Sequence, residues 1–222
     1  MICHPRSLAI RRALIVDGAR LLVSAVSAVD RAVFVRLAGA RPLLDPILPG
    51  LSRAADHGLL WWGTAVALGV SRGRRRRGAV RGMVALGLAS ATANGPAKMV
   101  FRRDRPDRHG IPPRRRLRRD LTTFSFPSGH AASAAAFATA VAMDAPVAAI
   151  PVGIIATGVA FSRVYVGVHY PSDVLAGVAI GVSAALVTSK IMPRRPYRPV
   201  RARPASTRVP ALRPAEVYHE RG

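Results

Sequence analysis

The chain has 222 residues, 50% of them hydrophobic, and a formal charge of +23 from 34 lysines and arginines against 11 acidic residues. One substantial domain fits this length, with apolar content enough for either a membrane-embedded or a soluble core. The lone cysteine, Cys3, excludes an intrachain disulfide and a cysteine-built metal cluster, while the arginine excess beside apolar runs points to anionic lipid headgroups or nucleic acid as partners.

Residues 1–13 read as a basic, ragged end. An amphipathic helix is predicted over residues 16–37. Asp17, Arg20, Asp30 and Arg31 interrupt its apolar run, so it lies at the membrane interface or crosses at a cost, and no secretory cleavage site follows. Export of the whole chain as a soluble protein is thereby disfavoured. Pro42, Pro46, Pro49 and Gly50 mark a broken connection. The uncharged run LLWWGTAVALGV at 59–70 needs a preceding turn from Ser52 to reach the ~20 residues of a membrane span. Trp61 and Trp62 suit an interfacial belt or, alternatively, a core.

The arginines at 72–77 end that segment. Residues 80–100, rich in Gly, Ala and Ser, are predicted as a helix whose small side chains admit close neighbours. Asn94-Gly95-Pro96 bends its last turns without ending them, which delivers Lys98 to one face of the membrane. Residues 101–126 form a polar, arginine-dense loop. Helices are predicted at 129–143, 146–163 and 174–189, and the short turns between them make them antiparallel neighbours. The basic, proline-rich stretch from Pro193 onward reads as disordered. The chain thus divides into an N-terminal part, 1–50, a membrane domain, 51–190, and a tail, 191–222.

This alternation gathers Lys98, Arg105, His130, Arg163 and His169 at one surface. Six arginines at 72–81 and the basic tail fall on the opposite side, so the positive-inside rule places the polar surface outside the cytoplasm, although ten cations between 98 and 119 oppose it.

Three polar blocks carry the chemistry. His169 and Asp173 stand four residues apart, close enough for the carboxylate to fix one ring nitrogen and leave the other free to attack phosphorus, giving a phosphohistidine. An interfacial histidine beside a helix-capping aspartate is the plainer reading of the pair. In Pro127-Ser128-Gly129-His130, Ser128 is a candidate N-cap, the Gly129 and His130 amides face an anion site, and His130 can protonate a leaving alkoxide. A simple helix start fits the tetrapeptide equally well. Lys98, Arg105 and Arg163 can hold the non-bridging oxygens of a phosphoryl group. Arg102, Arg103, Arg108 and the arginines at 114–119 read as solvated or headgroup-facing charges, with Asp104 and Asp107 offsetting their neighbours.

Lys98-x6-Arg105-Pro106, Pro127-Ser128-Gly129-His130 and Ser162-Arg163-x5-His169-x3-Asp173, in that order, resemble the complete three-part signature of the type 2 phosphatidic acid phosphatase superfamily over residues 52–190. That resemblance implies an all-α, polytopic helical bundle with five or six transmembrane helices, multi-pass in a bacterial-type plasma membrane. It implies His169 as nucleophile, Asp173 as its orienting partner and His130 as general acid. Lys98, Arg105, Ser128, Gly129 and Arg163 would bind the phosphoryl group, with no metal or other cofactor. A lipid-linked phosphate is the expected substrate: a polyprenyl phosphate, diphosphate or prenyl-phospho-sugar, with phosphatidate or phosphatidylglycerol phosphate as the alternative. Anionic membrane lipids are expected partners, and small-residue patterns allow a homo-oligomer. A non-catalytic membrane or nucleic-acid-binding protein is the contrasting class. Two Trp, four Tyr and six Phe, mostly in apolar segments, offer little for stacking bases, so nucleic acid is not expected as a partner.

Overall fold

Alanine and glycine determine how closely the helices pack. In the computed structural model, which describes residues 5–39, 42–117 and 121–193, the helices are α1 (Pro5–Ala38), α2 (Leu48–Ala54), α3 (Leu59–Gly69), α4 (Arg74–Thr92), a single turn α5 (Lys98–Val100), α6 (Gly129–Asp144), α7 (Pro146–Tyr165) and α8 (Pro171–Ile191). No strand occurs among the described residues.

Helix α6 is the centre, packed against α4, α7 and α8. Its buried face is alanine at positions 131, 132, 134, 136 and 140, so neighbouring backbones come close. A methyl group at Gly177 would collide with the Ser128 carbonyl, and one at Gly181 with the Ala132 carbonyl. On the α4 side, a Cβ at Gly82 would stand 2.8 Å from the Phe137 ring. The Gly177-x3-Gly181 pattern is therefore used inside the chain, to seat α8 on α6. Trp61 is 1% exposed and packs against Phe137 with ring centroids 5.3 Å apart, whereas Trp62 faces outward. Of the two tryptophans, only Trp62 is free for an interfacial role.

Helix α4 continues into α5 through one π-helical turn, Ala93–Ala97, with Gly95 at φ −93° and ψ −109° followed by Pro96. The bend expected from Asn94-Gly95-Pro96 is present and carries Lys98 past it. At the opposite end of the bundle, Arg81 of α4 donates from Nε to Asp144 of α6 at 2.7 Å, both side chains being buried.

The loop after α5 differs from its expected form. Arg114, exposed as expected, and Arg115, which is not, both bond Asp45, Arg115 lies over the Tyr165 ring at 4.4 Å, and the Tyr165 hydroxyl donates to Asp45 at 2.5 Å. Arg115 is 1% exposed. These contacts fasten the loop to the link before α2 and to the end of α7. Helix α1 begins at Pro5, inside the stretch read as a ragged end, and the expected disordered tail lies outside the described residues from 194 on.

The expectation of five or six transmembrane helices is corrected: among the described residues only α7 and α8 are long and apolar enough to cross a membrane. The causes are physical. Helix α3 has 11 residues and α6 has 16, short of the ~20 a span needs. Helix α4 opens on Arg74 to Arg77 and buries Arg81, and α1 carries Asp17, Asp30, Arg31 and Arg36. The fold is all-α and membrane-associated. Val147, Ile150 and Ile154 of α7, Leu175 and Leu186 of α8, and Leu59 and Val66 of α3 all face outward, an arrangement suited to lipid.

Replacing Gly181 by leucine is expected to push α8 off α6 and to cost about 1–3 kcal/mol, seen as a lower Tm in detergent. Gly87→Ala, at a site where a Cβ meets nothing within 4 Å, is the matched control and should hold or raise Tm.

Candidate active site

Three helix ends and two loops meet at one end of the bundle. Ser128 caps α6, its Oγ accepting from the Ala131 amide at 3.4 Å, and its own amide donates to the Asp173 carbonyl at 2.9 Å. That bond joins the starts of α6 and α8, so the Gly129 and His130 turn opens beside Asp173. After α7 the chain reverses through Gly167, at φ 78°, where a side chain would also strike Ile111. The Arg163 carbonyl then accepts from the Val168 and His169 amides at 3.1 and 3.2 Å, which places the histidine over the end of α7.

His169 is 2% exposed. Its Nδ1 lies 3.6 Å from Asp173 Oδ2, beyond hydrogen-bonding distance, and has no other partner. The carboxylate is held from elsewhere: Oδ2 accepts from the Tyr170 amide at 2.8 Å and Oδ1 from Arg103 Nη1 at 2.8 Å. Catalytic hydrogen bonds are often long before substrate binds. Burial pushes the His169 imidazole down to about 3; Arg163 and Arg105 push the same way, and Asp173 opposes them. The ring is neutral at physiological pH, the form in which a ring nitrogen can act as nucleophile.

The cations converge on the same point. Arg105 is spread over carbonyls, Nη1 donating to Val168 at 2.8 Å and Nε to Thr123 at 2.8 Å. Arg163 is buried, donates from Nη1 to Ser52 Oγ at 2.5 Å, and leaves Nε without a partner. Burial, with Arg105 and Arg163 nearby, pushes the Lys98 ammonium down to about 8. Arg163 and Lys98 both act on His130, whose imidazole burial pushes below its ordinary value. Every residue singled out from the sequence thus lies around one polar centre: Lys98, Arg105, Ser128, Gly129, His130, Arg163, His169 and Asp173. Arg105 and Arg163 act on the His169 ring, and Arg163 and Lys98 on that of His130, a set of charges able to receive a phosphate dianion. Among the described residues, no group of three or more His, Cys, Asp or Glu is arranged to hold a metal ion.

Two contributors were missed from the sequence. Arg103, read as a solvated charge, bonds Asp30 of α1 at 2.7 Å, Asp173 and Ser172, and lies 4.2 Å over the Tyr170 ring. Its neighbours in a run of arginines hide it. Asp56, in the link between α2 and α3, lies 2.8 Å from His130 Nε2 and 4.0 Å from Arg163 Nη1. No periodicity or motif marks it.

Comparison with known proteins adds to this geometry. Residues 79–197 match the PAP2 superfamily. The decaprenylphosphoryl-5-phosphoribose phosphatase of Mycobacterium tuberculosis is 33% identical over 159 residues, which cover 68% of this chain and 82% of that protein. In fold, the chain is similar to a transmembrane PAP2-type phosphatidylglycerolphosphate phosphatase from Bacillus subtilis, with TM-score 0.60 and 22% identity, covering 86% of this chain and 98% of that one. The LpxE protein of Aquifex aeolicus gives TM-score 0.58 and 24% identity over 72% of this chain and 93% of its own.

Arg103→Gln leaves the buried Asp30 and Asp173 carboxylates without their shared cation. A stability loss of about 3 kcal/mol is expected in thermal unfolding, with a fall in turnover as Asp173 loses its seat. An unchanged Tm would mean that the two carboxylates find other partners.

Proposed function

This chain belongs to the PAP2 superfamily and is a membrane phosphatase of lipid-linked phosphate; from that premise we propose that it hydrolyses a polyprenyl phosphate, diphosphate or prenyl-phospho-sugar through a phosphohistidine on His169. The convergence of a neutral buried imidazole, a second imidazole and three cations at one end of the bundle carries this reading. The prenyl preference is supported by the mycobacterial relative, a decaprenylphosphoryl-5-phosphoribose phosphatase.

In the proposed reaction Asp173 orients His169 through Nδ1, and Nε2 attacks phosphorus. The bond from phosphorus to the ester oxygen breaks, its electron pair goes to that oxygen, and His130 supplies the proton. Water then attacks the phosphohistidine, with His130 taking a proton back, and inorganic phosphate leaves. Lys98, Arg105 and Arg163 hold the three equatorial oxygens, and the Ser128-Gly129 turn with the start of α6 adds backbone donors. The cation clamp supplies the charge that a metal ion supplies in other phosphatases, so the reaction proceeds without one. The catalytic unit is residues 51–190, with α1 docked on it through Asp30. The arginines at 72–81 lie at the other end of α4, which favours a site outside the cytoplasm.

The test is phosphate release by the detergent-solubilised protein, in chelator, from prenyl phosphate, prenyl diphosphate, prenyl-phospho-sugar, phosphatidate and phosphatidylglycerol phosphate. The prenyl substrates are expected to dominate, and His169→Ala to abolish release while the protein still inserts and folds. Preference for a glycerolipid would move the assignment to the alternative substrate. Loss of activity in chelator with recovery in Mg²⁺ would contradict the metal-free clamp.

The pH response follows from the same groups. Because His169 is held near 3, its ring is expected to show no titration between about pH 8 and 4.5 in histidine-selective NMR; a midpoint near 6.5 would contradict a buried neutral nucleophile. As pH rises past about 8, Lys98 loses its charge and its hold on phosphate, so kcat/KM falls. Lys98→Arg should remove that fall and leave the limb at lower pH set by deprotonation of the acid, His130.

A further inference from the structure

Asp56 stands outside the three sequence blocks, yet it touches two of them. Its carboxylate is 38% exposed, accepts from His130 Nε2 at 2.8 Å and lies 4.0 Å from Arg163 Nη1. Asp56, His130 and Arg163 line one cavity of about 330 Å³ together with Arg53, His57, Leu117 and Leu121. The backbone that presents it is unusual. His57, at φ 55°, and Gly58, at φ 75°, follow as two successive left-handed residues between α2 and α3. A non-glycine residue in this region is uncommon and strained by roughly 1 kcal/mol or more, and such residues cluster at functional sites. Four residues earlier in the same segment, Ser52 accepts from Arg163. The end of α2 and the link behind it thus brace a phosphate-binding arginine and a histidine at once.

We propose that Asp56 is the positioning residue for His130: by engaging Nε2 it holds the imidazolium with Nδ1–H toward the leaving oxygen. This rests on the phosphatase reading above and adds a second carboxylate–imidazole pair to it. The two pairs are built for opposite tasks. His169 is closed off from solvent, stands 3.6 Å from Asp173 on its Nδ1 side, and faces Arg105 and Arg163, so the ring is kept unprotonated for attack. Burial pushes the His130 imidazole below its ordinary value, helped by Arg163 of α7 and Lys98 of α5, and the Asp56 carboxylate, in hydrogen-bonding contact, opposes them and favours the doubly protonated ring. The His130 ring in turn holds the Asp56 carboxyl below its ordinary range, so the aspartate is ionised whenever the acid is needed. On phosphoryl transfer the Nδ1–H bond breaks, the leaving oxygen takes the proton, and the ring is left neutral with Nε2–H still donating to Asp56. That ring is then ready to remove a proton from the hydrolytic water.

The experiment is a double-mutant cycle on lipid-phosphate hydrolysis with Asp56→Asn, His130→Ala and the double variant, each with a full pH profile of kcat. Asp56→Asn keeps the shape and removes the charge. It is expected to lower kcat roughly 10- to 100-fold and to move the alkaline limb of kcat to lower pH, since the imidazolium loses its counter-charge. In the His130→Ala background the same change should alter kcat by less than about twofold, because the group it serves is gone. Asp56→Glu, which retains the charge, should keep the limb near that of the parent and serves if the asparagine variant folds poorly. Equal losses in both backgrounds, or an unmoved limb, would overturn the proposal and leave Asp56 as a loop anchor. If His130→Ala itself retains full turnover, the acid role of His130 fails instead, so the two failures are distinguishable.

Discussion

The close approach of α4 and α8 to α6 is the constraint on which the site depends. The buried alanines of α6 and the glycines at 177 and 181 bring the backbones of α6 and α8 together, Gly82 seats the Phe137 ring against α4, and the ends of those helices then share one small volume. Larger residues at these places would separate Ser128 from Asp173, whose amide-to-carbonyl bond of 2.9 Å ties the start of α6 to the start of α8. Packing of this kind is strong in lipid, where helix association draws on van der Waals contact rather than on the hydrophobic effect. The polar centre is therefore a consequence of an apolar packing rule.

Within that volume the electrostatics are unbalanced in a purposeful direction. Lys98, Arg105 and Arg163 lie together, and burial and mutual repulsion act on the lysine strongly enough to push it to about 8. Asp173 is already engaged by Arg103 and the Tyr170 amide, and Asp56 by His130. In the proposed reaction a phosphate dianion completes the arrangement, and in a site of low dielectric such preorganised donors act without reorganising. The two histidines differ because their surroundings differ. One is sealed among cations, and the other has a carboxylate in hydrogen-bonding contact.

Much of this was legible in the sequence because chemistry that requires fixed spacing leaves a fixed pattern. Lys98-x6-Arg105, the Pro127 to His130 turn and Arg163-x5-His169-x3-Asp173 sit at predicted helix ends, and short turns at 144–146 and 170–173 forced those ends together. The π-helical turn at Ala93–Ala97 was also foreseeable from Asn94-Gly95-Pro96. What escaped depends on tertiary contact. Asp56 is an isolated aspartate in a connection, and Arg103 is one arginine among many until Asp30, brought in from α1, identifies it. Asp45 gathers Arg114, Arg115 and Tyr165 across roughly half the chain, which no local pattern encodes. The expected five or six spanning helices came with the family resemblance, whereas the lengths of α3 and α6 suit packing inside a bundle more than crossing a bilayer.

In the proposed reaction the phosphoryl group passes covalently through His169. Rapid quenching of the enzyme in turnover with a lipid substrate carrying ³²P in the transferred group, followed by mapping of the acid-labile, alkali-stable label, tests it most directly. Label is expected on His169 alone among the six histidines, with net retention of configuration at phosphorus when a chiral phosphate is used. Inversion at phosphorus with no labelled enzyme would mean direct attack by water, and label on another residue would displace His169 from the centre of the mechanism.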